Sequence, residues 1–435
     1  MRQPHRPKRR AQLRRTAPPA APVTVTAGPL GARGDVVAEG AGGRLYVPFA
    51  LPGETVEVRP GASRGDGRGT DLLRVIDPSP DRVDPPCPHF GTCGGCALQH
   101  MAPVAEAAWK RDLVIAALGR RGLVDVPVAA TVSVPPGTRR RATLTWRRTR
   151  SGLVLGFHER QSHQIVDIRA CPVLHPELAA LLPRLRAALL AVLAAGTSGD
   201  LQMQWTDSGA DVRLDLPAAP DLTGRESLAA LAETLDLGRL MLRVDGQDEP
   251  VAIRRPPVIT FGGVTVALPP GAFLQPSQAG EDALRTLVLA ALEGVAGPVA
   301  DLFCGLGTFA LPLAARHGVT AVDGDGPAVA ALTATGKVRT LARDLFTDPL
   351  AGSDLAPFAA VVFDPPRAGA REQAEALATA GPDVVVAVSC APASFARDAR
   401  TLVDGGYMLE QVTPVDQFAW SAHVELVATF RRRFS

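Results

Sequence analysis

The chain of 435 residues is 46% hydrophobic, with 46 basic and 44 acidic side chains and a net charge of +2. That is enough for about two to four domains with real cores, and it excludes a globally basic coat, so any nucleic-acid surface must be a local patch. Six cysteines, and a basic start that runs into Ala-Pro-rich sequence instead of an apolar leader, point to a reducing, cytoplasmic setting and to metal or catalytic use of the thiols. The apolar stretch over 178–195 carries Arg184 and Arg186, so no membrane span is expected.

Residues 1–21 hold seven Lys/Arg and four prolines with almost no large apolar side chain, the composition of a disordered basic tail or a loose electrostatic arm for RNA. From Val23 to about Ile76, short β-like runs alternate with glycine turns, which predicts a small OB-like barrel over 22–78. The run from Gly34-Asp35 through Arg44-Leu-Tyr-Val-Pro-Phe-Ala-Leu-Pro-Gly-Glu54 resembles the TRAM domain, an RNA-binding barrel. Arg59, Arg64, Arg68 and Arg74 lie near it, as a phosphate-facing surface would require.

The segment 79–259 reads as a central α+β domain. Cys87, Cys93 and Cys96 form a C-x5-C-x2-C run, and Cys171 follows much later. Gly94-Gly95 frees the backbone to wrap the thiols round one centre. Zinc bound by four thiolates usually draws pairs of short knuckles, whereas three clustered cysteines and a remote fourth are closer to iron–sulfur ligation. His89 inside the loop is read as a surface residue or a neighbour of the thiols. A helix is expected over 101–122 with Trp109, Leu113 and Ala117 on its apolar face. A β-rich stretch over 126–168 then interleaves Arg139, Arg140 and Arg141 with aromatics, a combination that suits phosphates and unstacked bases. A helix over 174–196 and a second β-rich stretch over 200–259 complete the segment.

Within 260–435, a helix over 280–294 precedes Val299–Leu313, which reads as strand, glycine turn and helix: an apolar run with Asp301, then Gly305 and Gly307, then a helix from about Thr308. A second apolar run ends at Asp323, about twenty residues on, where an acid can take both hydroxyls of a ribose. The turn lacks the third glycine of the dinucleotide fingerprint, which disfavours NAD. Two further runs end in Asp364-Pro-Pro-Arg367 and Ser389-Cys390. Three strand ends thus bring polar or reactive groups to one sheet edge, the pattern of a class I, Rossmann-like S-adenosylmethionine-dependent methyltransferase domain. Arg367 stands where amino-group methyltransferases of the N/D-P-P-Y/F type place a base-stacking aromatic, which argues against N-methylation.

Taken together, the TRAM segment, the cysteine quartet, RRRATL, GFHERQSHQIVDIRACPVL, FLQ, DLFCGLGTF, DPPRAG, SCAP and HVE resemble the bacterial RNA (uracil-5-)-methyltransferases that carry an iron–sulfur cluster and a TRAM domain. The resemblance implies an α/β multidomain enzyme forming 5-methyluridine in RNA. The expected substrate is 23S rRNA, because related tRNA enzymes commonly lack both cluster and TRAM domain; the alternatives are a tRNA 5-methyluridine methyltransferase and a non-catalytic RNA-binding factor with the same fold. It implies a 4Fe–4S cluster on Cys87, Cys93, Cys96 and Cys171 with a structural, RNA-positioning role, and a monomer in the cytoplasm. Uracil carbon 5 is a poor nucleophile towards a methyl sulfonium until a thiolate adds to carbon 6, so the chemistry needs one free thiol and a base. Cys304 lies on the first strand and is expected to pack; Cys390 occupies the family's nucleophile position. By resemblance Glu425 is the base, and Asp364 lies between cofactor and uracil. Gln275, Phe303, Gly305, Gly307, Thr308, Asp323 and Asp344 would contact S-adenosylmethionine, Asp323 at the ribose and Asp344 near the adenine. Phe273 would stack on the extruded uracil, with Arg139, Arg140, Arg141 and Arg367 also facing substrate. Thr308, Ser277 and Ala391 depart from the asparagines that members often have there.

Overall fold

In the N-terminal part of the computed structural model, β1 (Val23–Thr26), β2 (Asp35–Gly40), β3 (Gly43–Pro48), β4 (Thr55–Arg64) and β5 (Gly67–Asp77) form one sheet in the order β1-β4-β5-β3-β2. The structure describes residues 20–432, so the tail expected over 1–21 lies almost wholly outside the described residues, and the chain divides into two units after Arg82. Alternate residues Val36, Ala38, Leu45, Val47, Val56 and Val58 fill a single core, as a one-sided sheet requires. Gly28 N–H donates to Val37 O and Val37 N–H to Pro29 O, so the sheet curls until its two edges approach. Three of the four arginines expected to face phosphate are engaged within this unit. Arg64 pairs with Asp35 at 2.6 Å, Arg68 donates to Gly61 O, and Arg74 lies 3.8 Å from Glu57.

The second unit begins with the cysteine loop and α1 (Pro103–Gly119). Of the expected stripe this helix buries Ala117 but leaves Trp109 and Leu113 only half-buried; the buried face is Glu106, Lys110, Val114, Ala117 and Leu118. The face is rotated because Glu106 and Lys110, one turn apart, form an ion pair at 2.8 Å, which a hydropathy pattern cannot show.

There follow β6 (Val132–Ser133), β7 (Arg141–Arg148), β8 (Leu153–His158), β9 (Ile165–Asp167), α2 (Pro176–Val192), β10 (Ser198–Thr206), β11 (Gly209–Asp215), α3 (Leu222–Thr234), β12 (Arg239–Val244) and β13 (Gln247–Ile253). Strands β7 to β13 make a seven-stranded sheet, with β6 outside it, in the order β13-β12-β11-β10-β7-β8-β9. Leu144, Trp146, Leu201, Met203, Val212 and Leu214 turn one face of that sheet towards α2 and α3.

The hairpin β14 (Val258–Phe261) and β15 (Val264–Ala267) leads through α4 (Gln278–Ala291) into the third sheet. Its elements are β16 (Val299–Leu302), α5 (Ala310–Leu313), β17 (Val319–Asp323), α6 (Gly326–Thr333), β18 (Arg339–Ala342), β19 (Ala360–Phe363), α7 (Arg371–Ala380), β20 (Val384–Ser389), α8 (Pro392–Asp404), β21 (Tyr407–Asp416) and β22 (Glu425–Arg432). Strand order is β18-β17-β16-β19-β20-β22-β21-β6; β16 to β20 are parallel, β22 runs against them, and β6 closes the edge. The helix expected from Thr308 starts at Ala310 and lasts one turn, because Gly307 at φ +93° still belongs to the preceding turn.

Both faces of this sheet are apolar, as parallel strands covered on two sides must be. Ala300, Leu302, Val361, Phe363, Val385 and Ala387 face a core shared with Val114 and Leu118 of α1 and Phe395 and Leu402 of α8. Val299, Val362, Val384, Val386 and Val388 face a second core with Leu284 and Val288 of α4 and Phe261 and Val266 of the hairpin. Helix α1, which the sequence places in the central segment, is therefore a covering layer of the C-terminal sheet. No helix among the described residues is long and apolar enough to cross a membrane.

Candidate active site

Parallel register aligns the ends of β16, β17, β19 and β20 at one edge, where an open α/β sheet binds ligands. Phe303, Asp323, Asp364 and Cys390 sit at or just beyond those ends. Strand β22 enters the same edge from the opposite direction. Its pairing ends with Ser389 against Leu426, so Cys390, the residue after β20, and Glu425, the first residue of β22, both sit at that end of the pair; β21 flanks Glu425 with Val415. Nucleophile and base candidates, 35 residues apart in the chain, are thereby brought to the same end of two adjacent strands, close enough to interact electrostatically.

The electrostatics there are unusual for a protein interior. Burial, then the neighbouring Asp364, pushes the Glu425 carboxyl up to about 8, against a hydrogen bond from Gln417. Burial alone pushes Asp364 up to about 7. The half-buried Cys390 thiol is pushed up to about 11, by burial first and then by Glu425 and Asp364. Amides bridge the acids: Gln417 Nε2 donates to Gln275 Oε1 at 3.0 Å, and Gln275 Nε2 donates to Asp364 Oδ2 at 3.3 Å. Gln417 was not singled out from sequence. A Cβ on Gly280 would lie 2.5 Å from the Gln417 side chain, so that glycine makes room for it. Ala391 caps α8 without a side-chain bond, and Ser389 Oγ accepts the Ala391 N–H at 3.2 Å instead. His423 is held below its ordinary value by burial first, then by Arg367, Lys110 and Arg139.

Beneath the glycine turn, Asp301 is fully buried and neither oxygen carries a well-formed hydrogen bond. Burial first, then Asp364, holds its carboxyl well above the usual range, with the Ala310 amide opposing. Gly305 takes φ +52° with open space where a Cβ would stand. Asp323 braces this turn, accepting from Gly305 N and Asp325 N at 2.8 Å each. Phe303, itself at φ +61°, packs tilted against Phe346 with ring centroids 5.4 Å apart. Phe346, a second apolar wall, carried no sequence signal. Asp344 is exposed and accepts Phe346 N–H at 3.0 Å; Thr308 is half-buried on the turn, and Arg367 is exposed. Cys304 is buried, with its thiol well above the ordinary range through burial, as a packing residue would be.

The three consecutive arginines part ways. Arg140, expected to face RNA, is instead 3% exposed, with its guanidinium on Glu281 at 2.5 Å and on Gln275 O at 3.0 Å. It lies just before β7, and its contacts with Glu281 and Gln275 O take the side chain inward, where it fixes the loop that carries Gln275. Arg141 lies over the ring of Phe273 at 4.4 Å, and Phe273 is 58% exposed. Arg139 and Arg141 also line a cavity of about 570 Å³ together with Cys87, Cys93, Cys96 and Cys171. Among the described residues, no three His, Cys, Asp or Glu side chains converge as a single metal ion would need. The loop is held from outside: Gln99 Oε1 accepts Cys87 N–H at 3.1 Å, and His89 Nε2 accepts Arg169 N–H at 2.9 Å. A Cβ on Gly94 would lie 2.9 Å from His158 O, so this glycine permits close approach to β8.

No family model matches the chain. An uncharacterised RNA methyltransferase of Brucella suis is 45% identical, over 94% of this chain and 97% of that protein. RlmD of Pectobacterium atrosepticum, a 23S rRNA (uracil(1939)-C(5))-methyltransferase, is 33% identical over 98% of this chain and 96% of its own. The chain belongs to the RNA methyltransferases. This RNA methyltransferase shares its fold with the tRNA (uracil-54, C5)-methyltransferase of Pyrococcus abyssi, solved in complex with S-adenosyl-L-homocysteine. The TM-score is 0.72 at 22% identity, over 94% of this chain and 99% of that one.

Proposed function

We propose that this RNA methyltransferase forms 5-methyluridine, with 23S rRNA as its substrate and Cys390 and Glu425 as its reacting groups. The observation that carries the reading is the register of β20 and β22, which brings one free thiol and one buried carboxylate together beside Asp364. The Cys390 thiol loses its proton to water, its sulfur adds to uracil carbon 6, and the electron pair of the carbon 5–carbon 6 π bond, displaced onto the ring, makes carbon 5 nucleophilic. S-adenosylmethionine, when bound, supplies an electrophilic methyl group. Glu425 then takes the carbon 5 proton, the carbon 5–carbon 6 double bond re-forms, and the thiolate leaves. A carboxyl near 8 is matched to proton transfer close to neutral pH.

Two features fit a cationic donor on the turn: the buried carboxyl of Asp301, which has no cation beside it among the described residues, and the open space above Gly305. Asp323 would hold the ribose, Phe303 and Phe346 the adenine, and Asp344, Thr308 and Gln275 the periphery. Phe273, backed by Arg141, would stack on a flipped base, with Arg139 and Arg367 near the phosphates.

The cysteine cavity fits a 4Fe–4S cluster better than zinc. One zinc ion needs four sulfurs at about 2.3 Å from a single point, a convergence missing among the described residues. A cluster spreads its thiolates over four irons, and the four cysteines line one roomy cavity. Cys87, Cys93, Cys96 and Cys171 would hold it, fixing the loop beside the arginine strand. The N-terminal unit is read as a TRAM-type RNA-binding barrel, and the enzyme as a monomer.

The test is to incubate the full chain with methyl-labelled S-adenosylmethionine and RNA from a strain deleted for the gene, then digest to nucleosides and map the label. Labelled 5-methyluridine at one 23S position is expected. Label in tRNA would favour the second reading, suggested by the fold neighbour; label on any other base would refute both.

A further inference from the structure

The loop between β21 and β22, residues 417–424, delivers Gln417 to Glu425, and it is anchored by a side chain that the reaction does not use. Lys110 of α1 is completely buried. Its Nζ lies 2.8 Å from Glu106 Oε1 and 2.5 Å from Asp416 Oδ1, and it donates to Phe418 O at 3.2 Å. The same two acids hold the loop backbone: Asp416 Oδ1 accepts Phe418 N–H at 3.1 Å, and Glu106 Oε1 accepts Trp420 N–H at 2.8 Å. Residues 416, 418 and 420 are thus all pinned to one cation and its partners, and Gln417 lies between two pinned neighbours. Its amide reaches Gln275 and the Glu425 carboxyl. Trp420 takes a left-handed φ of +62°, and its carbonyl accepts the N–H groups of Ala97 at 2.8 Å and Leu98 at 3.0 Å, directly after Cys96.

We propose that Lys110 is a positioning residue for the base: it fixes the 416–420 loop so that Gln417 aims Glu425 at the substrate and ties that loop to the cysteine-bearing segment. The proposal rests on the reading of Glu425 as the base for the carbon 5 proton. A buried lysine used only for stability would be an odd choice, since an apolar residue of similar volume often does as well in a core. Here the charge holds two carboxylates and three backbone groups of a loop that no hydrophobic contact could orient in the same way.

The test separates the base-dependent step from those before it. With ordinary uridine, turnover needs Glu425 to remove the carbon 5 proton. With 5-fluorouridine there is no such proton, so the covalent enzyme–RNA adduct reports thiol attack and methyl transfer alone. Lys110→Met should slow turnover on RNA from the deletion strain on the order of 10–100-fold. Adduct formation on 5-fluorouridine-substituted RNA should stay within about threefold of the wild type. A denaturant-resistant adduct should also build up on ordinary RNA, because release has become slow. Unchanged turnover, or equal losses in both assays, would overturn the proposal. If Lys110→Met does not fold, Asp416→Asn, which keeps the Lys110–Glu106 pair, must show the same split, and its absence counts equally against the idea. Should the wild type itself form no adduct on 5-fluorouridine RNA, the uracil reading fails and not merely the role of Lys110.

Discussion

Two groups of acids, buried or partly so, are partnered in opposite ways. In the seam that joins the catalytic sheet to its surroundings, every acid has a cation: Glu281 has Arg140, Asp211 has Arg239 on both oxygens at 2.8 Å, and Glu106 and Asp416 share Lys110. At the strand ends Asp301, Asp364 and Glu425 have none among the described residues; burial raises all three, as it also raises Glu281 and Glu106 in spite of their cations, so the difference between the groups lies in their partners. The seam pays for burial with salt bridges and is scaffold. The edge keeps its acids uncompensated, a state that favours either a proton or an arriving positive charge, and a methyl sulfonium brings one. The contrast distinguishes residues that hold the site from residues proposed to react in it.

Cys390→Ala attacks the reactive group hardest. It should cut methyl transfer at least about a thousandfold while calorimetry shows S-adenosylmethionine binding little changed; surviving turnover would remove the thiol from the chemistry. Arg140→Met attacks the scaffold by leaving Glu281 buried without its partner. Denaturant unfolding should show a loss of about 3–5 kcal/mol, and a variant as stable as the parent would deny the seam its structural role. Glu425→Gln should slow turnover on the order of 10²–10³-fold and trap a covalent complex with ordinary RNA on denaturing gels. The pH profile sharpens the contrast further. Because the Glu425 carboxyl is raised to about 8, it is protonated at pH 6 and becomes a competent base as pH rises. The ratio kcat/KM should therefore climb more steeply below pH 8 than above it, where only the Cys390 thiol, raised to about 11, is left to ionise, whereas an unbroken slope through pH 8 would exclude Glu425 as the titrating base. Asp323→Asn, the mildest change, should raise the KM for S-adenosylmethionine about tenfold with kcat nearly intact.

The edge proposed to react was legible in the sequence because each of its residues terminates an apolar run: Asp323, Asp364 and Cys390 follow buried strands, and Gly305 and Gly307 mark the turn between them. Glu425 was legible only through family resemblance, since nothing local sets it apart from the other acids. The scaffold was not legible at all. Lys110 and Glu106 look like solvent-facing residues on an amphipathic helix, and only tertiary pairing explains why the helix turns them inward and leaves Trp109 half-exposed. Arg140 was grouped with Arg139 and Arg141 because charge in a run reads as a surface, whereas its contacts with Glu281 and Gln275 O take its side chain inward. Gln417 and Phe346 sit on loops whose positions depend on contacts far away in the chain, so no periodicity announces them.

The central claim is that the sulfur of residue 390 bonds to the pyrimidine during turnover. Mass spectrometry of the complex formed with 5-fluorouridine RNA and S-adenosylmethionine, after digestion with protease and nuclease, measures that directly. The account predicts a methylated fluorouracil nucleotide on the peptide containing Cys390. A nucleotide attached to any other residue, or none attached by an enzyme that still makes 5-methyluridine, would contradict it.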